Sequence, residues 1–516
     1  MDRQNLQLLA LARSGDPSAR CEVARRYLLG SAGFPRDRSG GIEYLSHPAV
    51  AALPAAIHTV AECMTLDEIL QARLLGTLQR AVNSELSVAR TKLAAWLLAR
   101  HPASDEGATM LKVAARQGHA AAQAAIRAMS AVSPEAAAAE SLAAVLHTLQ
   151  QHGMLNGLAV AIASAREALE AGELWAAGTV LAAAARLDEC ADHELSALVV
   201  QAIDAAETAG VRLPDLPVQI VEPMLDARAC AGDRIAANAL GRALCGIDLG
   251  HLPASDVAES PNVRKGAALL LRAADAGCDE SWMHLYRLHA DRRSSVANPQ
   301  MARFFLEKAA TRGVVEAQRL LGALILRGAT TLQESEQALG WLHEAAHEGD
   351  GHARQLLHSL VLPLEGADED AERAIATLEQ HDRWLAGRLR VARDFGLTKL
   401  EALCFEPVEG LRPWGLVVGK NPFILQIRLS APRAIPAITQ RARDRLRAVA
   451  ELFARTKHDE GDMRRRSHHQ RRLFAKLGLE ESWFFATASS VALESFRLGT
   501  KWAFRARQPL RMALAA

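Results

Sequence analysis

Three stretches of this chain line up without a gap: LLRAADAG (270–277), LEKAATRG (306–313) and LHEAAHEG (342–349), each 36 residues after the last. Every copy carries an alanine pair, Ala273–Ala274, Ala309–Ala310 or Ala345–Ala346, and closes on Gly277, Gly313 or Gly349. Four residues past the glycine sits a small residue, Ser281, Ala317 or Ala353; eight past it sits Leu285, Leu321 or Leu357. Apolar residues at i, i+3 and i+4 before the glycine mark an amphipathic helix. The glycine supplies the left-handed backbone that ends it. The small residue opens a second helix and allows the two to approach closely. Each unit is therefore expected to be helix–turn–helix, with an apolar face that only a stacked neighbour covers.

Weaker copies extend the frame. LKVAARQG (111–118) is followed by Ala122 and Ile126, LALARSG (9–15) by Ala19 and Val23, and DARACAG (226–232) by Ala236 and Leu240. The step from Gly232 to Gly277 is 45, so an insertion is expected within HLPASDVAESPNV (251–263). The pattern resembles the Sel1-like repeat, a relative of the tetratricopeptide repeat. The likeness is clear in Ala338 to Gly349, with Trp341–Leu342 and Ala345–Ala346, and in Ala302 to Gly313, with Ala317, Leu321 and Gly322 following. Tyr27, Gly30, Phe34, Asp37 and Tyr44–Leu45 resemble the family's Y-x-x-G-x-G-V-x-x-D stretch, with a departure at Ser39–Gly40–Gly41, where the family prefers alanine. The resemblance implies an all-α chain built as an α-solenoid, with a scaffold role rather than a reaction.

The expected organisation is repeats over 1–130, helical hairpins without a clear repeat register over 131–225, repeats again over 226–361, a linker at 362–380, and a smaller, mostly α module over 381–516. Residues 157–187 read as one of the hairpins.

Composition agrees. Half of the 516 residues are hydrophobic, only 4% are aromatic, and 101 are alanine, which excludes global disorder and argues against an all-β chain. No run of 18 apolar residues occurs, so no membrane span is expected. The opening MDRQNLQLLALARSGD lacks a basic start and a long apolar run, so no leader and a cytoplasmic location are expected. Seven scattered cysteines form no CxxC and read as reduced, and no cofactor is expected. The net charge of +1 hides a split: residues 381–516 hold 26 Lys+Arg against 13 Asp+Glu, leaving 34 against 46 for residues 1–380. Such asymmetry points to an acidic partner for the tail, or to two parts that attract each other.

Three segments are candidates for chemistry. His343–Glu344–Ala345–Ala346–His347 matches H-E-x-x-H, in which two histidines at i and i+4 hold zinc and the glutamate serves as base. Its alanines are the repeat's own, no third ligand follows in the right context, and no metal is expected. RRRSHHQRR (464–472) offers Arg464, Arg465, Arg466, Arg471 and Arg472 to phosphate, or else to the acidic repeats. Val391 to Leu403, with Gly396 and Thr398, weakly resembles a helix-turn-helix. In the tail, Gly419 to Pro422 reads as the turn of a β-hairpin within 411–430, Pro436 as the start of a helix, and 481–507 as another helix.

The leading expectation is a non-enzymatic scaffold that binds a protein or peptide through the solenoid groove. The alternative is a regulator whose basic module, 381–516, binds nucleic acid. A zinc hydrolase through His343, Glu344 and His347 ranks last. Near-cancelling charges favour a tail that folds back, with the five arginines facing repeat carboxylates, and a cut near 366 is expected to leave the repeats folded.

Overall fold

A computed structural model of the chain describes residues 3–132, 138–187, 192–213, 216–419, 432–455, 460–487 and 504–515. These residues are helical almost throughout, with three short strands. They form two compact units, Met1–Ser281 with Ser294–Val296, and Trp282–Arg293 with Ala297–Ala516. The chain is an all-α repeat protein, as its periodicity implies.

The repeat turn is the same each time. Gly277, Gly313 and Gly349 have φ of 94°, 86° and 100°. The residue after each glycine donates its N–H back to the carbonyl of the first alanine of the pair: Cys278 to Ala273 at 2.9 Å, Val314 to Ala309 at 3.1 Å, Asp350 to Ala345 at 3.0 Å. This six-residue closure satisfies carbonyls that a helix end otherwise leaves bare, and only a left-handed residue permits it. Ala273, Ala309, Ala345, Ser281, Ala317 and Ala353 are all fully buried. The closure also appears where no glycine register was expected: Gly172 has φ 74°, and Glu173 donates to Ala168. It joins Gly157–Glu170 to Leu174–Leu187, the expected hairpin.

Small residues set the spacing between one repeat and the next. In the first unit, a Cβ on Gly41 would lie 3.0 Å from Ala24 O and 2.8 Å from Leu28 Cγ, and one on Gly266 would lie 2.7 Å from Gly241 O. In the second unit, one on Gly322 would meet Ala338 O at 3.0 Å and Leu342 Cγ at 2.8 Å. The glycine at position 41 is thus a packing requirement of this copy, which explains its departure from the family's alanine.

The second unit begins within the repeats. Pro299–Thr311, Val315–Gly328, Leu332–His347 and Gly351–Leu360 form its repeat helices. The tail adds helices Asp368–Glu379, Arg383–Asp394, Lys399–Cys404, Gln440–Arg455, Met463–Leu477 and Phe504–Ala515. An antiparallel sheet places Gly415–Val418 between Leu411–Arg412 and Arg433–Pro436. The tail's core gathers Leu389, Phe395, Leu416, Ile435, Leu446, Leu473 and Phe484.

Several expectations need correction. The stretch 362–380 is not a linker throughout: Asp368–Glu379 is a helix, and Ala371, Ile375 and Leu378 are buried in the tail's core. Gly415–Val418 pairs with Leu411–Arg412 and Arg433–Pro436; the expected hairpin turn at Gly419 to Pro422 and the run after it fall largely outside the described residues. Residues 420–431 themselves lie outside the described residues. Pro436 ends a strand, and the helix begins at Gln440. The helix expected over 481–507 starts instead as a short 3-10 turn, Glu481–Trp483; residues 488–503, with Phe496 and Trp502, lie outside the described residues.

Candidate functional site

The H-E-x-x-H segment lies on Leu332–His347, a helix started by a Thr331–Glu334 capping box. Arg443 Nη1 donates to His343 Nε2 at 2.7 Å, so that nitrogen's lone pair is already used. Burial, then the Arg443 charge, holds the His343 imidazole below its ordinary range and neutral at pH 7. Glu344 and His347 are exposed, and His347 Nδ1 lies 3.5 Å from Glu348 Oε1. Among the described residues no three His, Cys, Asp or Glu side chains are placed to hold a metal ion. What the histidines do share is a small cavity with Arg354, His358 and Arg443. Sequence reading did not single out those three. Arg354 and His358 are an i, i+4 pair that a helical wheel would have found, but Arg443 is 100 residues away and had no signal.

The basic run forms one side of Met463–Leu477, a helix capped by Asp462, whose side chain accepts from Arg465 N at 2.8 Å. Gln470, Leu473 and Phe474 turn inward and are buried. At 100° per residue that choice sends Arg464, Arg465, His468, Arg471 and Arg472 outward, and all five are exposed. No carboxylate of a described residue forms an ion pair with these four arginines. Arg466 alone turns in, donating to Leu403 O at 2.9 Å and lying 3.7 Å from Glu460. The expectation that the run faces repeat carboxylates is thus corrected. The tail does pair with earlier parts of its own unit, through other arginines. Arg412 meets Glu336 at 2.7 Å, and Arg445 meets Glu372 at 2.6 Å.

Beside the run, a cavity of about 370 Å³ is lined by His381, Asp382, Trp384, Arg388, Arg465 and His469, among others. Its charges are mostly spent. Arg388, 1% exposed, forks onto Glu460 at 2.8 and 2.6 Å and donates to Phe405 O, with the Phe405 and Phe453 rings on it at 5.1 and 4.8 Å. His469 Nε2 and Asp382 Oδ2 are 2.8 Å apart. This network ties the tail's helices together and leaves Arg465 at its rim.

The helix-turn-helix resemblance fails on burial. Its second helix, Lys399–Cys404, is six residues long, and Glu401, Ala402, Leu403 and Cys404 are buried. Glu401 accepts from Arg433 at 2.7 and 2.9 Å inside the core, and that guanidinium, against the cost of burial, keeps the carboxyl below its usual range. No face remains to enter a groove.

Phe304 and Met301 are the exposed large apolar side chains on the described repeats of the second unit. They are 44% and 38% exposed on Pro299–Thr311, whose other apolar side chains, Phe305 and Leu306, are buried. Lys308 lies 5.4 Å over the Phe304 ring.

Tandem helix–turn–helix units, closed by one repeated turn and lacking a catalytic constellation among the described residues, define a helical-repeat protein. Four stretches are Sel1 repeats by their sequence pattern, residues 17–46, 248–278, 283–314 and 315–350. The copy expected at 80–130 is not among those matches, although Gly118 ends its helix with φ 88°. No curated protein matches the chain. Among solved structures, the chain is similar to a protective antigen of uropathogenic Escherichia coli displaying an SLR fold, at 17% identity and a TM-score of 0.28, over 69% of this chain and 74% of that one. It is also similar to a Sel1 repeat protein from Oxalobacter formigenes, at 18% identity and a TM-score of 0.25, over 70% and 91%. No described helix is long and apolar enough to cross a membrane.

Proposed function

We propose that this chain is a non-enzymatic scaffold whose repeats dock a protein or peptide, with Phe304 and Met301 in the docking surface. The observation that carries the reading is their exposure on a repeat helix whose packing positions are all filled. Met301 and Phe304 lie one turn apart on one helix face, a small apolar patch of the kind that anchors a protein contact. Sel1 repeat proteins generally act as interaction scaffolds, which supports the class but names no partner. A photo-crosslinking residue at 304 should trap a discrete protein, while the same probe at 312, on the exposed turn of that repeat, should not. Phe304→Glu should then weaken capture of that protein about thirtyfold, since an anchor is worth about 2 kcal/mol. Equal trapping at both positions would sink the proposal.

A second reading is favoured by the four outward arginines, Arg464, Arg465, Arg471 and Arg472, none of which forms an ion pair with a described carboxylate: this face binds a nucleic acid. Four phosphate contacts on duplex DNA give a log–log salt slope of about −3.6. Replacing the four by alanine should abolish that slope. A slope the replacement leaves unaltered would remove this reading.

A further inference from the structure

The cavity beside the H-E-x-x-H segment has an unusual charge inventory. It measures about 90 Å³ and is ringed by His343, His347, Arg354, His358 and Arg443, with Thr439 at its edge. No carboxylate lines it. Arg443 has only uncharged hydrogen-bond partners: Nη1 donates to His343 Nε2 and Nη2 to Gln440 Oε1 at 2.5 Å, while its Nε is buried with no partner. Arg354 reaches only Ala346 O, at 3.4 Å. Among the described residues neither guanidinium pairs with an Asp or Glu.

Two guanidinium groups flank one hollow, Arg443 half-buried and Arg354 exposed at its mouth, and with no carboxylate in the lining an anion completes the arrangement best. The hollow is hostile to a metal ion. The guanidiniums repel a divalent cation, and the Nε2 lone pair that H-E-x-x-H chemistry needs is committed to Arg443. Glu344 and Glu348, which flank the lining residues in sequence, are exposed and do not line the cavity. We propose that the cavity binds a tetrahedral oxyanion: a phosphate group, free or as a monoester, held by Arg354 and Arg443 with His347 and His358 as further donors. The site spans one repeat turn and the Gln440–Arg455 helix, so an occupant would pin the tail of this unit to its last repeat.

Inorganic phosphate titrated into the full-length protein, followed by ³¹P line broadening and calorimetry, tests this directly. Saturable binding at one site is expected. Arg354→Gln and Arg443→Gln should each weaken it about tenfold or more, the worth of one charge-assisted hydrogen bond. Arg354→Lys keeps the charge and should retain most of the affinity, which separates lost binding from lost folding. Arg472→Gln, on the exposed helix face, should leave affinity unchanged. O-phosphoserine distinguishes the two sources: binding as tight as phosphate marks a site open to monoesters, and phosphate alone marks a free-ion site. Absence of saturable phosphate binding, or wild-type affinity in either glutamine variant, would overturn the proposal. So would stoichiometric zinc binding that His343→Ala abolishes.

Discussion

At residue scale, the repeats turn the ordinary effect of glycine around. In a helix interior, glycine to alanine normally stabilises by about 0.5–1 kcal/mol. At Gly322 the added carbon meets the Ala338 carbonyl and Leu342, so Gly322→Ala should instead cost about 1–3 kcal/mol. Gly340, on the next helix, has only Trp414 Cδ1 at 3.8 Å, and Gly340→Ala should stabilise. Opposite shifts in urea midpoint for the two variants are the expected result; shifts of the same sign would contradict the packing. Lys92 gives a pH signature. It is 3% exposed, and its ammonium donates to Ala61 O at 2.5 Å and Met64 O at 2.6 Å, closing the end of Pro54–Cys63. Burial pushes it down to about 8. Between pH 8 and the ordinary lysine range the unfolded chain holds a proton that the folded chain has released. Stability from this group therefore rises with pH across that window, by about 3 kcal/mol at most. Cys245 and Cys404, pushed up to about 11 by burial, act in the opposite sense above pH 9. The readout is thus the difference between wild type and Lys92→Met, whose curves should diverge from pH 8 to 10.

At the scale of elements, Phe504–Ala515 covers Val315–Gly328 and Gly351–Leu360. Ala506, Leu510 and Ala513 are buried, and Arg319, itself buried, donates to Ala513 O while pairing with Asp350 at 3.0 Å. Leu510→Ala should cost about 2–5 kcal/mol, whereas Met512→Ala, at a 45% exposed position, should cost under about 0.5. Similar melting of the two variants would mean that this helix is not docked. The same scale shows how much of the candidate site could be read in advance. That 463–477 is a helix follows from its composition and its Asp462 cap. Which side faces out was set by Phe474 meeting Phe484 and Phe485, with Leu473 buried in the same core, a contact the run itself does not encode.

At the scale of the second unit as a whole, the tail is not an appendage joined by a linker. Arg433–Pro436 packs on Leu332–His347 and Gly351–Leu360, and the terminal helix covers a neighbouring face. A cut near 366 would strip both, so a fragment ending there should bind hydrophobic dye and aggregate, contrary to the sequence expectation. A monomeric fragment that melts cooperatively would restore the linker.

What the sequence by itself determined is what lies within one helical turn of its cause. The 36-residue frame, the alanine pairs and the glycine that closes each first helix are local rules, and the backbone obeys each at its own position. Only the tertiary structure decided the partners. His343 meets Arg443, Arg388 meets Glu460, and Arg433 meets Glu401, across 100, 72 and 32 residues. The physical reason is that a polar or charged side chain drawn out of water must find a hydrogen-bond or opposite-charge partner wherever the chain brings one. Spacing along the chain carries no record of that choice. For the same reason, the sequence could show that H-E-x-x-H lacks a third ligand, but not that His343 and His347 line a hollow with Arg354 and Arg443.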